Sequence, residues 1–148
     1  MIRSAITQAA ALLWTAVLVT GIARAQSGDS ARAEFNPSVY AELGKVPAKA
    51  AVRQNPLAAD PESAAAGAKL FRQHCAECHG ADAGGGKKGP SLRAEEVQQA
   101  TPGTLFWLLT NGVVRKGMPV WSRLPEPERW QLVSYVKSLA ASPRPPSQ

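Results

Sequence analysis

The two cysteines of this 148-residue chain stand three positions apart in Cys75-Ala76-Glu77-Cys78, and a histidine, His79, follows at once. Cys-x-x-Cys-His is the attachment sequence of a c-type haem. The two thiols bind the porphyrin covalently, and the adjacent imidazole is kept within reach of the iron. Haem iron takes histidine on one axial side and often methionine on the other. Beyond Met1 the chain has one methionine, Met118, set in Gly117-Met118-Pro119, 39 residues after His79 and in a loop-like stretch. A group of that size dictates what folds around it, and the His79 and Met118 pair points to an electron carrier.

Other chemistries use the same residues. A redox disulfide of the thioredoxin type needs alternating strands and helices, and strand-like runs are nearly absent here. Structural zinc would draw on His74, Cys75, Cys78 and His79, but tetrahedral sites usually take two ligand pairs from separated segments. All four candidates fall within six residues. His74 precedes the first cysteine and reads as a surface histidine. Gly84-Gly85-Gly86 lacks the preceding strand and the Gly-Lys-Ser/Thr ending of a phosphate loop, so it reads as a flexible connector. Trp107, Trp121 and Trp130 are expected to pack the haem pocket and the helices.

Residues 1–25 read as a cleavable export signal: Arg3 supplies positive charge, Ala9 to Val19 is apolar but for Thr15, and Ala23-Arg24-Ala25 offers small residues for cleavage. An uncleaved anchor is the alternative, although the apolar run is shorter than the roughly 18 residues of a spanning helix. No stable membrane span is expected after cleavage. Losing Arg3 and Arg24 lowers the net charge from +6 to +4. Nucleic-acid binding calls for a basic patch with a recognisable motif, and Lys45, Lys69, Lys87, Arg115 and Lys137 are scattered, so no nucleic-acid partner is expected. An exported chain is free to form disulfides; this one has both cysteines in the motif.

Residues 26–59 are rich in Ala, Pro and charge, show no sustained period, and read as an N-terminal extension. Phe35, Tyr40, Leu43, Val46 and Leu57 could nonetheless touch the folded part. The ordered unit is expected over residues 60–142, with a flexible Pro-rich tail over 143–148. A unit this small usually needs a staple, which a buried haem supplies. Three helices are legible. The first has Asp60 as cap, Pro61 and Glu62 in its opening turn, and Ala64 to Gln73 beyond. The second runs from Thr101 and Pro102, with Leu105, Leu108 and Leu109 on one side, to Asn111-Gly112. The third covers about Glu126 to Ala141, where Leu132, Tyr135, Val136 and Leu139 follow helical spacing and Trp130 and Val133 widen the stripe.

With these motifs in place, the stretch from Gly67 to Leu139 resembles the class I cytochrome c family. The resemblance is carried by Gly67 and Phe71, Cys75 to Gly80, Gly89-Pro90-Ser91-Leu92, Gly112 with Gly117-Met118-Pro119, and the aromatic last helix with Trp130 and Tyr135. It implies an all-α fold wrapped around one covalently attached haem c. It implies thioethers at Cys75 and Cys78, axial iron ligation by His79 and Met118, and a Pro90 carbonyl that accepts a hydrogen bond from His79. Gly67 and Phe71 would let the first helix cross the last near Tyr135. One departure is Leu124-Pro125-Glu126-Pro127, where the family has a Ser, Thr or Asp cap; Glu126 and Glu128 then support the helix start through the dipole.

The function expected is one-electron transfer in a periplasm between redox partners, such as an exported dehydrogenase, a respiratory complex or a terminal oxidase. The alternatives are a cytochrome subunit fixed to such a complex, and, from other classes, a peroxidase-like enzyme or a haem-based sensor. Lys87, Lys88, Arg115 and Lys116 are candidates for a basic docking rim, with scattered solvated charge as the alternative.

Overall fold

The computed structural model describes residues 37–142. The expected export signal, the first part of the 26–59 segment and the tail from 143 to 148 lie outside the described residues. Helices account for the regular structure: α1 (Pro37–Tyr40), α2 (Ala48–Ala51), α3 (Ser63–His74), α4 (Ala76–His79), α5 (Glu95–Gln99), α6 (Pro102–Asn111) and α7 (Glu126–Ser138). Among the described residues the one β feature outside strands is an isolated antiparallel bridge between Val113 and Met118.

Helix α7 is the axis of the fold. Trp130, Leu132, Val133 and Val136 on it are buried, as is Leu139 just beyond. That apolar surface is wider than one stripe because α7 packs against α3 on one side and α6 on the other. Gly67 makes the α3 crossing close: a Cβ there would meet the Gln131 carbonyl and lie 2.9 Å from Tyr135 Cβ. Phe71, one turn further, places its ring 5.0 Å from that of Tyr135. On the other side Phe106 of α6 stacks on Trp130 with centroids 4.0 Å apart. The guanidinium groups of Arg53 and Arg129 lie 4.6 and 4.8 Å from the Phe106 centroid, where cations meet the electron-rich ring face. The leucine pattern of α6 conceals this: Leu105 and Phe106 are buried, while Leu108 and Leu109 are half-buried.

The helix ends differ in how they are made. Thr101 caps α6 as expected, its hydroxyl accepting from Thr104 N at 3.2 Å. Asp60 does not cap α3. Its carboxylate accepts from Glu62 N at 3.0 Å, closing a turn, and the helix opens at Ser63 without a side-chain cap. Pro125 precedes α7 with no side-chain cap, and Glu126 and Glu128 occupy its first turn.

The segment before Asp60 is more ordered than its composition indicates. Tyr40, Leu43 and Leu57 pack against the core formed by Val97, Leu105, Phe106, Trp130, Val133 and Val136. Asn55 is buried and donates to Trp130 O and to Ser134 Oγ, the latter at 2.8 Å, while Ser63 Oγ reaches the same Ser134 hydroxyl at 2.8 Å. Gly103 opens the surface of α6 for the chain: a Cβ there would meet the carbonyls of Ala50, Ala51 and Arg53. These attachments are mostly polar and involve few large apolar residues, so no hydrophobic period betrays them. Among the described residues, Tyr40, Leu43 and Leu57 thus touch the folded part.

Candidate haem site

Helix α3 ends at His74 and delivers the chain into Cys75, whose N–H still bonds to Phe71 O at 2.8 Å. Cys75 stands at the junction with the next turn, α4, which carries Cys78 and His79, so the two thiols and the imidazole follow one another within a single turn and its cap. Both cysteines are free thiols. Burial, with the neighbouring Cys78 adding to it, pushes the Cys75 thiol up to about 11. Among the described residues no cluster of three or more His, Cys, Asp or Glu is arranged to hold a metal ion.

His79 Nδ1 lies 2.8 Å from the Pro90 carbonyl oxygen. A carbonyl only accepts, so the ring donates from Nδ1 and keeps a lone pair on Nε2, the atom able to bind a metal. Burial holds the imidazole below its ordinary pKa, opposed by the Pro90 bond, so the neutral, ligating form is favoured. The approach of the Pro90 segment needs glycines. A Cβ on Gly89 would lie 3.1 Å from Cys78 O and 3.2 Å from His79 Nδ1, and one on Gly85 would meet Ser91 N at 2.6 Å. Gly85 has φ +88° and its N–H bonds to His79 O at 2.8 Å. The glycine run is thus a tight turn against the haem motif, where its composition alone reads as a loose connector.

Met118 is half-buried in the loop after α6. Its backbone is fixed on both faces, since Val113 N donates to Met118 O at 2.9 Å and Met118 N to Val113 O at 3.2 Å. Gly112, at φ +67°, closes this turn against Pro119. Trp121 N bonds to Leu109 O at 3.0 Å, and the Trp121 ring lies 5.3 Å from that of His74, which is exposed at the end of α3. Cys75, Ala76, Leu92, Leu109 and Leu124 pack against one apolar cluster built on Phe71, Ala83, Leu132 and Leu139. The motif helix, the Pro90 segment and the flanks of the methionine loop therefore share one wall. Free thiols, a neutral imidazole with Nε2 available and a thioether sulfur on a pinned loop fit a covalently held, His and Met ligated haem.

Of the expected basic rim, Lys88 pairs with Glu77 at 2.6 Å and Lys116 lies 3.8 Å from Glu42. Two of its four cations are thus compensated. Sequence reasoning missed Gln98 and Arg93, which hold the Pro90 segment from behind. Gln98 Nε2 donates to Leu92 O at 2.5 Å and Arg93 Nε to Asp82 O at 2.7 Å. Their partners are backbone carbonyls, and no residue pattern marks those.

Residues 62–136 match the family described as cytochrome c oxidase, cbb3-type, subunit III. The chain is 36% identical over 117 residues to the cbb3-type cytochrome c oxidase subunit CcoP of Rubrivivax gelatinosus, covering 78% of this chain and 36% of that protein. It is 26% identical over 147 residues to the subunit FixP of Sinorhizobium medicae, covering 87% of this chain and 51% of that one. It spans about a third to a half of the length of these relatives. Among solved structures it is similar to cytochrome cL from the marine methylotrophic bacterium Methylophaga aminisulfidivorans, with TM-score 0.50 and 30% identity over 57% of this chain and 58% of that one. The chain accordingly belongs to the family of cbb3-type cytochrome c oxidase subunit III, and it is a monohaem c-type cytochrome that carries electrons on covalently attached haem c.

Proposed function

We propose that this chain is the haem-bearing electron-entry subunit of a terminal oxidase, acting on the exported face of the membrane. The observation that carries the reading is the family match over residues 62–136, which includes Cys75, Cys78, His79, Pro90 and Met118. It raises the subunit reading above a freely diffusing carrier, which the sequence alone favours. In this reading Cys75 and Cys78 would hold the haem through thioethers, and His79 Nε2 and Met118 sulfur would be the groups that bind its iron. The haem supplies a one-electron Fe(III)/Fe(II) couple. Pro90 fixes the orientation of the His79 ring and raises its basicity as a ligand. The Val113 bridge fixes the Met118 backbone, so little would have to move on electron transfer.

No described helix is long and apolar enough to cross a membrane. Affinity purification of the tagged chain from native membranes tests the proposal. Recovery of haem–copper oxidase subunits together with oxygen consumption supports it; a monomer recovered wholly from the soluble fraction, without oxidase subunits, contradicts it. The soluble outcome favours the second reading, a diffusible carrier.

A further inference from the structure

The segment that composition marks as an extension touches the protein beside both axial-ligand loops. Tyr40 Oη donates to Ser91 O at 3.1 Å, one residue beyond the Pro90 carbonyl that receives His79. Two positions along, Glu42 lies 3.8 Å from Lys116, two residues before Met118. Glu42 is itself oriented by Lys45 at 2.8 Å. Leu43 between them is anchored in the core. Downstream the same segment is tied by Thr101 Oγ1 donating to Ala51 O at 2.6 Å and by Arg53 pairing with Glu126 at 2.8 Å.

The Ser91 contact is part of a regular arrangement. The carbonyls of Pro90, Ser91 and Leu92 are consecutive, and each accepts from a side chain on a different element: His79 on α4, Tyr40 on α1 and Gln98 on α5. Three fixed carbonyls in a row leave the middle peptide no freedom to rotate. The Pro90 oxygen is then presented to His79 at a set distance, and the strength of that bond sets how much electron density the imidazole gives the iron.

We propose that residues 40–45 are a strap that positions both axial ligands, Tyr40 through the Ser91 peptide on the His79 side and Glu42 through Lys116 on the Met118 side. Tyr40 and Glu42 are positioning residues, since neither reaches the haem ligands directly. The strap rests on the haem reading above. Its role differs on the two sides: loosening the first changes ligand basicity, while loosening the second changes how readily Met118 leaves.

The test uses the full-length haem-loaded protein with Tyr40→Phe and Glu42→Gln. Tyr40→Phe keeps the ring and removes one donor. It is expected to weaken the Pro90–His79 bond and raise the reduction potential, moving the ferrous-to-ferric ratio at fixed applied potential about two- to threefold toward ferrous, a fraction of one hydrogen bond. Glu42→Gln is expected to speed carbon monoxide binding to the reduced protein by about two- to fivefold, the range of an exposed ion pair, with a smaller change in potential. A lowered melting temperature with unchanged potential in Tyr40→Phe and an unchanged carbon monoxide rate in Glu42→Gln would make the segment a structural clip only and overturn the proposal. Rapid carbon monoxide binding by the wild type would remove the Met118 ligation and, with it, the Glu42 side of the strap, leaving the haem itself in place. A resistant wild type with two indistinguishable variants removes the strap alone.

Discussion

Met118 and His79 do unequal work at the residue scale. His79 is fixed by its place next to Cys78 and by the Pro90 carbonyl at 2.8 Å, whereas Met118 is held by the backbone of its own loop through Val113. Met118→Ala is therefore expected to leave the haem attached, open the iron to carbon monoxide and lower the reduction potential, because a methionine ligand raises it. Redox titration and carbon monoxide difference spectra check this; spectra identical to wild type would refute ligation. These ligand candidates were legible in the sequence because covalent attachment demands contiguous spacing and because Met118 has no competitor beyond Met1. Tyr40 and Gln98 were not legible as partners of the site, since each is recognised by a backbone carbonyl that any residue could present.

At the scale of elements, two positions decide how the helices meet. Gly67→Ala puts a methyl group into the Gln131 backbone at the α3–α7 crossing. Overpacking of this kind costs about 1–3 kcal/mol, measurable as a lower denaturation midpoint. A value within a few tenths of wild type would mean that the helices part without penalty. Thr101→Ala removes both the α6 cap and the donor to Ala51 O; an N-cap loss alone costs about 1 kcal/mol, so equilibrium unfolding should register at least that. The α6 cap was readable because Thr-Pro is a local signal acting within one turn. The α3 start was misread at Asp60 because Asp-Pro serves a turn equally well, and its choice of partner depends on the packing of Ser63 against Ser134. Phe106 escaped notice for a similar reason: its burial comes from Trp130 and Arg53, distant in sequence.

For the whole molecule, the described segment from Tyr40 to Leu57 and the core form one packed unit around α7. Glu126 joins them, accepting from Trp130 Nε1 at 3.2 Å and from Arg53 at 2.8 Å. These hydrogen bonds, Trp130 first, hold its carboxyl below the ordinary 4.5. The folded pKa is the depressed one, so the contribution is present above 4.5 and is lost as pH falls through the folded value. Thermal melts of Glu126→Gln should accordingly show a shallower acid-side decline than wild type below that pH; superimposable profiles would count against the clasp. The all-α fold was legible from three helical patterns and the need for a prosthetic staple, while the attachment of the N-terminal segment depends on contacts that join residues more than fifty positions apart.

The central claim is that Cys75, Cys78, His79 and Met118 hold one covalently attached, six-coordinate haem for electron transfer. Absorption spectroscopy of the purified reduced protein, with and without carbon monoxide at neutral pH, tests it most directly. A low-spin haem that stays with the chain on denaturation and takes up carbon monoxide only slowly is the predicted result. A haem that is extracted by acid solvent, or one that binds carbon monoxide at once, would contradict it.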